Sequence, residues 1–94
     1  MKNIFLGLFL LLANFLIAQT KVSGVVLDEN KQPVAYASVA FLGTSEGMIT
    51  NEDGRFYLES QQNRKTLSIS FIGYTTQEIQ LEKSVTYDMK ITLV

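Results

Sequence analysis

Residues 43–74 read GTSEGMITNEDGRFYLESQQNRKTLSISFIGY, and this stretch decides the fold. Its apolar runs are short: Met48–Thr50, Phe56–Leu58 and Leu67–Phe71. Between and before them stand Gly43-Thr44-Ser45-Glu46-Gly47, Asn51-Glu52-Asp53-Gly54 and Gln61-Gln62-Asn63-Arg64-Lys65. Brief apolar runs bounded by Gly, Asn and Asp clusters are strands joined by turns. Leu67, Ile69 and Phe71 alternate with Ser68, Ser70 and Ile72, which is the period of a half-buried strand rather than of a helix.

The same period extends outward in both directions. Ala35, Ala37, Val39 and Phe41 alternate with Tyr36, Ser38, Ala40 and Leu42. Near the C-terminus Val85, Tyr87, Met89, Ile91 and Leu93 alternate with Thr86, Asp88, Lys90 and Thr92. Weaker runs at Val22–Leu27 and Thr76–Leu81 complete seven short strands, and no window has helical period. The expected architecture is all-β: a small antiparallel β-sandwich or small open barrel. Asp28–Pro33 and Glu82–Ser84 supply the remaining turns, and the single proline, Pro33, sits in a loop where a missing N–H costs nothing. Asn51–Gly54 is expected to close a hairpin between Thr50 and Phe56.

The chain has 94 residues, enough for one domain. Met1-Lys2-Asn3 followed by the apolar run Ile4–Ile17 and then Ala18-Gln19 reads as a signal peptide over residues 1–18. The run is shorter than the roughly 20 residues of a membrane-spanning helix, which sets cleavage against the alternative of an uncleaved anchor. No cysteine is available for a lipid anchor. The expected mature domain is 19–94, exported to the periplasm, outer membrane or cell surface, with no transmembrane segment of its own. It carries seven basic and nine acidic residues, so neither a basic patch nor a positive balance points to nucleic acid. Without cysteine the core must hold the fold without disulfides. The final strand stops at Val94 without a polar tail, a pattern that fits a fragment of a longer protein as well as a complete small one.

With no histidine and no cysteine, the usual neutral-pH base, thiol nucleophiles and common zinc or haem ligation are absent. No catalytic residue, cofactor or metal ligand is therefore expected, and the chain reads as not an enzyme. Asn51-Glu52-Asp53-Gly54 resembles the opening of a calcium loop but lacks its distal Glu at the right spacing; a tight turn accounts for every residue in it. Phe71-Ile72-Gly73-Tyr74 reads either as core packing at a strand end, with Gly73 at a bulge or close approach, or as a ligand-stacking platform. The candidate contact residues are Tyr36 and Tyr74 for a ligand, and Met89 and Ile91 on the last strand. If that strand lies at a sheet edge, its open backbone suits addition of a partner's strand.

Taken in order, Val22-Ser23-Gly24-Val25-Val26-Leu27-Asp28, Gln32-Pro33-Val34, Ala37-Ser38-Val39, Gly43-Thr44, Gly47, Thr50–Phe56 and Leu67–Tyr74 resemble the carboxypeptidase regulatory-like domain. The resemblance covers essentially the whole expected mature chain. It implies a prealbumin-like, or transthyretin-like, β-sandwich of about seven strands and an accessory role without catalytic residues. Such domains commonly stand just after the signal peptide of exported bacterial proteins, especially TonB-dependent outer-membrane receptors. The expectation is thus an exported, non-catalytic interaction module with a protein partner in the cell envelope, the N-terminal domain or a fragment of such a receptor. The alternative is a free-standing periplasmic or surface binder of a glycan or peptide.

Overall fold

The computed structural model describes residues 19–94; the expected signal peptide lies outside the described residues. Seven strands are present: β1 Thr20–Leu27, β2 Ser38–Phe41, β3 Gly47–Ile49, β4 Arg55–Ser60, β5 Thr66–Ser70, β6 Gln77–Gln80 and β7 Val85–Thr92. They form a sandwich of a three-stranded sheet, ordered β4-β1-β7, and a four-stranded sheet, ordered β3-β2-β5-β6. The period-two pattern explains the two-layer result. In β4, Phe56, Leu58 and Ser60 turn inward while Arg55, Tyr57 and Glu59 face solvent; in β5, Leu67 and Ile69 turn inward. Val22, Val26, Val39, Phe41, Phe56, Leu67, Ile69, Ile91 and Leu93 meet in one core. Burying each such side chain contributes about 1.5–3 kcal/mol, which is how a domain without disulfides is held together.

Three features depart from the sequence expectation. The alternation at 35–42 becomes strand only over Ser38–Phe41, because Ala35–Ala37 is drawn into a turn. The Asn51–Gly54 turn does not close a hairpin: β3 pairs with β2 and β4 pairs with β1, so the turn carries the chain from one sheet to the other. Finally, four of the five strand pairings are antiparallel, whereas β1 and β7 run parallel. The cause is the route into β7. Residues 81–84 cross the end of the sandwich at which β1 begins, where the Lys21 N–H donates to the Ser84 carbonyl at 2.8 Å.

The parallel pair holds a bulge. Val22 lies opposite Thr86 but Gly24 lies opposite Met89, leaving Tyr87 and Asp88 against Ser23 alone. Asp88 takes a left-handed φ of 58° and its N–H points at the Ser23 hydroxyl, 3.3 Å away. The Met89 backbone is pressed onto β1 so closely that a Cβ on Gly24 would stand 2.4 Å from the Met89 carbonyl oxygen.

Buried threonines close the two ends. Thr50 donates its hydroxyl to the Val34 carbonyl at 2.7 Å and accepts the Ala37 N–H at 2.9 Å. Its backbone N–H reaches the Ala37 carbonyl and its carbonyl accepts the Tyr36 N–H. At the opposite end the Thr20 hydroxyl donates to the Gln62 carbonyl and accepts the Arg64 N–H, both at 2.8 Å. Beside it Glu46 Oε1 accepts from the Ser60 hydroxyl at 2.9 Å and from Arg64 Nε at 2.7 Å.

Two stability outcomes follow from these contacts. Gly24→Ala should destabilise the fold by about 1–3 kcal/mol, since the clash is with backbone that cannot move without breaking the bulge; an unchanged urea midpoint would refute the close approach. The Ser60 hydrogen bond, opposed by burial and supplemented by Arg64, holds the Glu46 carboxyl below its ordinary value of 4.5. Its folded pKa is the lower one, so its contribution is complete above the unfolded value and is lost as pH falls through the folded value. Melting temperature should therefore drop more steeply on acidification below pH 4.5 in the native protein than in Glu46→Gln; parallel curves would show that this carboxylate is not coupled to folding.

Candidate interaction surface

The Thr50 contacts also create the candidate site. Successive N–H groups of an extended strand point to opposite sides, yet the N–H groups of Tyr36 and Ala37 both reach Thr50. The chain must turn between them, and Tyr36 takes a left-handed φ of 64°. The turn throws its ring outward, 62% exposed. Alongside, residues 71–74 form a turn in which the Tyr74 N–H donates to the Phe71 carbonyl at 3.1 Å. Gly73, with φ of 91° and open space where a Cβ would stand, serves that turn; the bulge lies at Tyr87–Asp88 instead.

Residues 71–74 divide between core and solvent. Tyr74 packs on the core, with its ring 6.3 Å from that of Phe71 at 35°. Phe71 is partly exposed and Ile72 is 93% exposed. Tyr36, Ser38, Ser70, Phe71 and Ile72 line an open groove of about 420 Å³. Ile49 joins them through register, lying opposite Ser38, which in turn lies opposite Ser70. Tyr36 and Tyr74, separated by 38 positions in the chain, thus flank a single aromatic side chain, Phe71. Ile72 had a signal in the sequence, since Leu67, Ile69 and Phe71 fix the inward parity of the strand and leave it outside. Ile49 had none, because its exposure depends on which strand neighbours β3.

The last strand is at an edge but offers a poor template. The bulge and the left-handed Asp88 break it in the middle, and the Gln77 side-chain amide donates to the Thr92 carbonyl near its end. Bulges of this kind blunt edges against further pairing. Met89 is half-buried beneath the bulge, and Ile91 is 2% exposed within the core. As a side-chain contact for a partner, Ile91 is corrected: it cannot be reached without opening the sandwich. The outer face of the three-stranded sheet is charged, with rows Glu59–Lys21–Val85 and Arg55–Val25–Lys90 on either side of Tyr57–Ser23. There Glu59 accepts the Tyr57 hydroxyl at 2.8 Å and, with burial assisting, pushes that phenol's pKa up.

The Asn51 turn uses its own oxygen atoms. Asn51 Oδ1 accepts the N–H groups of Asp53 and Arg55, each at 3.0 Å. No group of three or more His, Cys, Asp or Glu side chains placed to hold a metal ion occurs among the described residues. No helix among them is long and apolar enough to cross a membrane, which leaves strand-built barrels as a separate matter.

Residues 22–94 match the family model described as the CarboxypepD_reg-like domain. The TonB-dependent receptor SusC of Bacteroides thetaiotaomicron is 37% identical over 84 residues, 89% of this chain and 8% of that receptor. A TonB-dependent receptor of Formosa agariphila is 32% identical over 78 residues, 83% of this chain and again 8% of the receptor. The chain therefore spans under a tenth of the length of these relatives. Among solved structures, a cohesin–X–dockerin complex from Acetivibrio cellulolyticus carrying an N-terminal interface mutation contains a chain with a TM-score of 0.64 at 22% identity, covering 79% of this chain and 56% of that one. A second such complex, mutated at the C-terminal interface, gives 0.51 at 28% identity over 78% and 51% of the two chains.

The exposed Tyr36 ring contributes no core packing while its backbone is strained by about 1–2 kcal/mol. Tyr36→Gly removes that strain against a glycine entropy cost of about 0.5–1 kcal/mol. The expected urea midpoint is unchanged or slightly raised; a loss of stability beyond about 1 kcal/mol would show that the ring is structural.

Proposed function

The chain belongs to the CarboxypepD_reg-like domain family, and on that footing we propose that it is a non-catalytic, receptor-associated interaction module of the bacterial cell envelope. Export through a signal peptide over residues 1–18, leaving a mature domain of residues 19–94, belongs to the same proposal. The observation that carries it is the group of apolar side chains left in solvent at one end of an otherwise closed sandwich: Tyr36, Ile49, Phe71 and Ile72. A domain with a full core has no folding reason to gather them there, and contiguous exposed apolar groups mark protein contacts. The two similar receptors supply the envelope setting. The solved neighbours are components of complexes between proteins, which is in keeping with a binding role for this kind of sandwich. The groove is framed by rings, an aliphatic side chain and two serine hydroxyls, a lining that supports the contact reading.

A photo-crosslinking side chain at position 72, carried by the protein in living cells, tests this reading. The expected product is a discrete adduct with an envelope protein, while a crosslinker at Glu29, in the Asp28–Pro33 loop, gives none. Absence of any adduct at 72 would remove the proposal, and saturable binding of glycans at the same groove would replace it with the free-standing ligand binder.

A further inference from the structure

The proposed interaction role leaves the chemistry of the partner open, and the face around Tyr36 narrows it. We infer that this face docks a short, extended, uncharged apolar segment of a partner protein. The inference rests on the interaction reading above and adds what the partner must present.

The groove lining of Tyr36, Ser38, Ser70, Phe71 and Ile72, with Ile49 beside it, carries no charge, and the one charged strand residue on the outer face of the four-stranded sheet is Glu78 on β6, opposite Ser68 and one row away from Ser70. The opposite face of the sandwich is laced with Lys21, Arg55, Glu59 and Lys90. A charged segment laid over Ile49, Phe71 and Ile72 would lose its water without gaining a counter-ion, and unpaired burial of charge is strongly unfavourable. An anionic membrane surface would likewise find no basic side chain to attract it.

The floor is formed by Ser38 and Ser70, with Ala40 and Ser68 one row further along β2 and β5. Four strands about 4.8 Å apart and about four residues deep make a floor of only some 250 Å², and the exposed Tyr36, Phe71 and Ile72 at its end extend it by a few side chains only. A stable pair of globular partners buries about 800 Å² on each side, so this face alone does not hold a second copy of the chain. A segment of about four or five residues, at about 3.3 Å each, spans it. The short floor side chains let such a backbone approach closely, their hydroxyls are within reach of its amides, and Tyr36, Phe71 and Ile72 provide the apolar walls. The strain held at Tyr36 fits the same role, since backbone strain that contributes nothing to packing gathers where a surface is shaped for a ligand.

The test uses nuclear magnetic resonance on the purified protein with two synthetic capped heptapeptides, one alternating Val and Thr and one with each Thr replaced by Lys or Glu. The uncharged peptide should shift the amide signals of Tyr36, Ser38, Ile49, Ser70 and Ile72 in a saturable way. The charged peptide, and the uncharged peptide against Ile72→Asp, should each bind at least about tenfold more weakly, a difference of about 1.4 kcal/mol. Ile72 is so exposed that this variant should keep its dispersed spectrum; if it does not, Ile72→Ser gives the same comparison. Equal binding of both peptides, shifts confined to β7, or no saturation at millimolar peptide would each overturn the inference. So would binding to neutral phosphatidylcholine vesicles in place of peptide, or concentration-dependent dimerisation through this face. Should the crosslink at position 72 persist while every peptide fails, the partner chemistry inferred here is wrong and the interaction role stands; loss of both removes both.

Discussion

The fold depends on Thr50. This one residue sits between two sheets, fully buried, and spends all of its polar groups on residues 34–37. Leaving a buried donor or acceptor without a partner costs about 1–3 kcal/mol, so each of the four hydrogen bonds favours this route of the crossing between β3 and β4 over any that leaves Thr50 unsatisfied. The same bonds bend the chain at Tyr36. Core closure and an exposed, strained ring are therefore two consequences of one arrangement, and the apolar groove exists because the sandwich is shut in this way.

Thr20 performs the corresponding task at the other end. There the chain leaves β4 for β5 in the opposite sheet, and the Thr20 hydroxyl ties residues 62 and 64 of that crossing to the first residue of β1. The two crossings flank β4, so the edge strand of the smaller sheet is fixed at both of its ends. Along its length Met48 completes the seal, packing on the core while its sulfur accepts the Tyr57 N–H at 3.2 Å. The other side is looser: nowhere do the Cα atoms of β6 and β7 come within 8 Å of each other, and Ile79, Leu81 and Met89 only partly fill the gap. The Glu46–Arg64 pair lies at the firm end, where its partial exposure and solvent screening limit its contribution, and the Ser60 hydroxyl gives it a fixed geometry.

The sequence displays the strands better than their connections. Alternation is a local property, and each of the seven runs, from Val22–Leu27 to Val85–Leu93, appears in the structure within a few residues of its expected limits. Whether Asn51–Gly54 closes a hairpin or crosses between sheets is not local: the turn residues serve either outcome, and the decision comes from β1 and β2, which capture β4 and β3 separately. The parallel β1–β7 pair is hidden for the same reason. Tyr36 was legible as an aromatic in an alternating run but not as a left-handed turn residue, because its conformation is imposed by Thr50 fourteen positions later. Ile91 misled because period two marks which residues share a face and leaves open which face is buried. The family resemblance added the sandwich as a whole, and membership in the CarboxypepD_reg-like domain family agrees with it.

The fold has already used most of the surfaces through which a sandwich of this kind could make contact. Strand addition at β7 would need a run of free, regularly spaced backbone groups, and the bulge beside Ser23 interrupts that run. The bulge exists because Gly24 lets the Met89 backbone sink onto β1, so the feature that packs the smaller sheet also disables its edge. The β4 edge is covered by Met48, while β3 and β6 have only three and four residues to offer. With the edges short, covered or broken, the proposed contact falls to side chains rather than to backbone. The place where large apolar side chains stand together outside the core is the end of the four-stranded sheet beside the Thr50 crossing, at Tyr36, Ile49, Phe71 and Ile72.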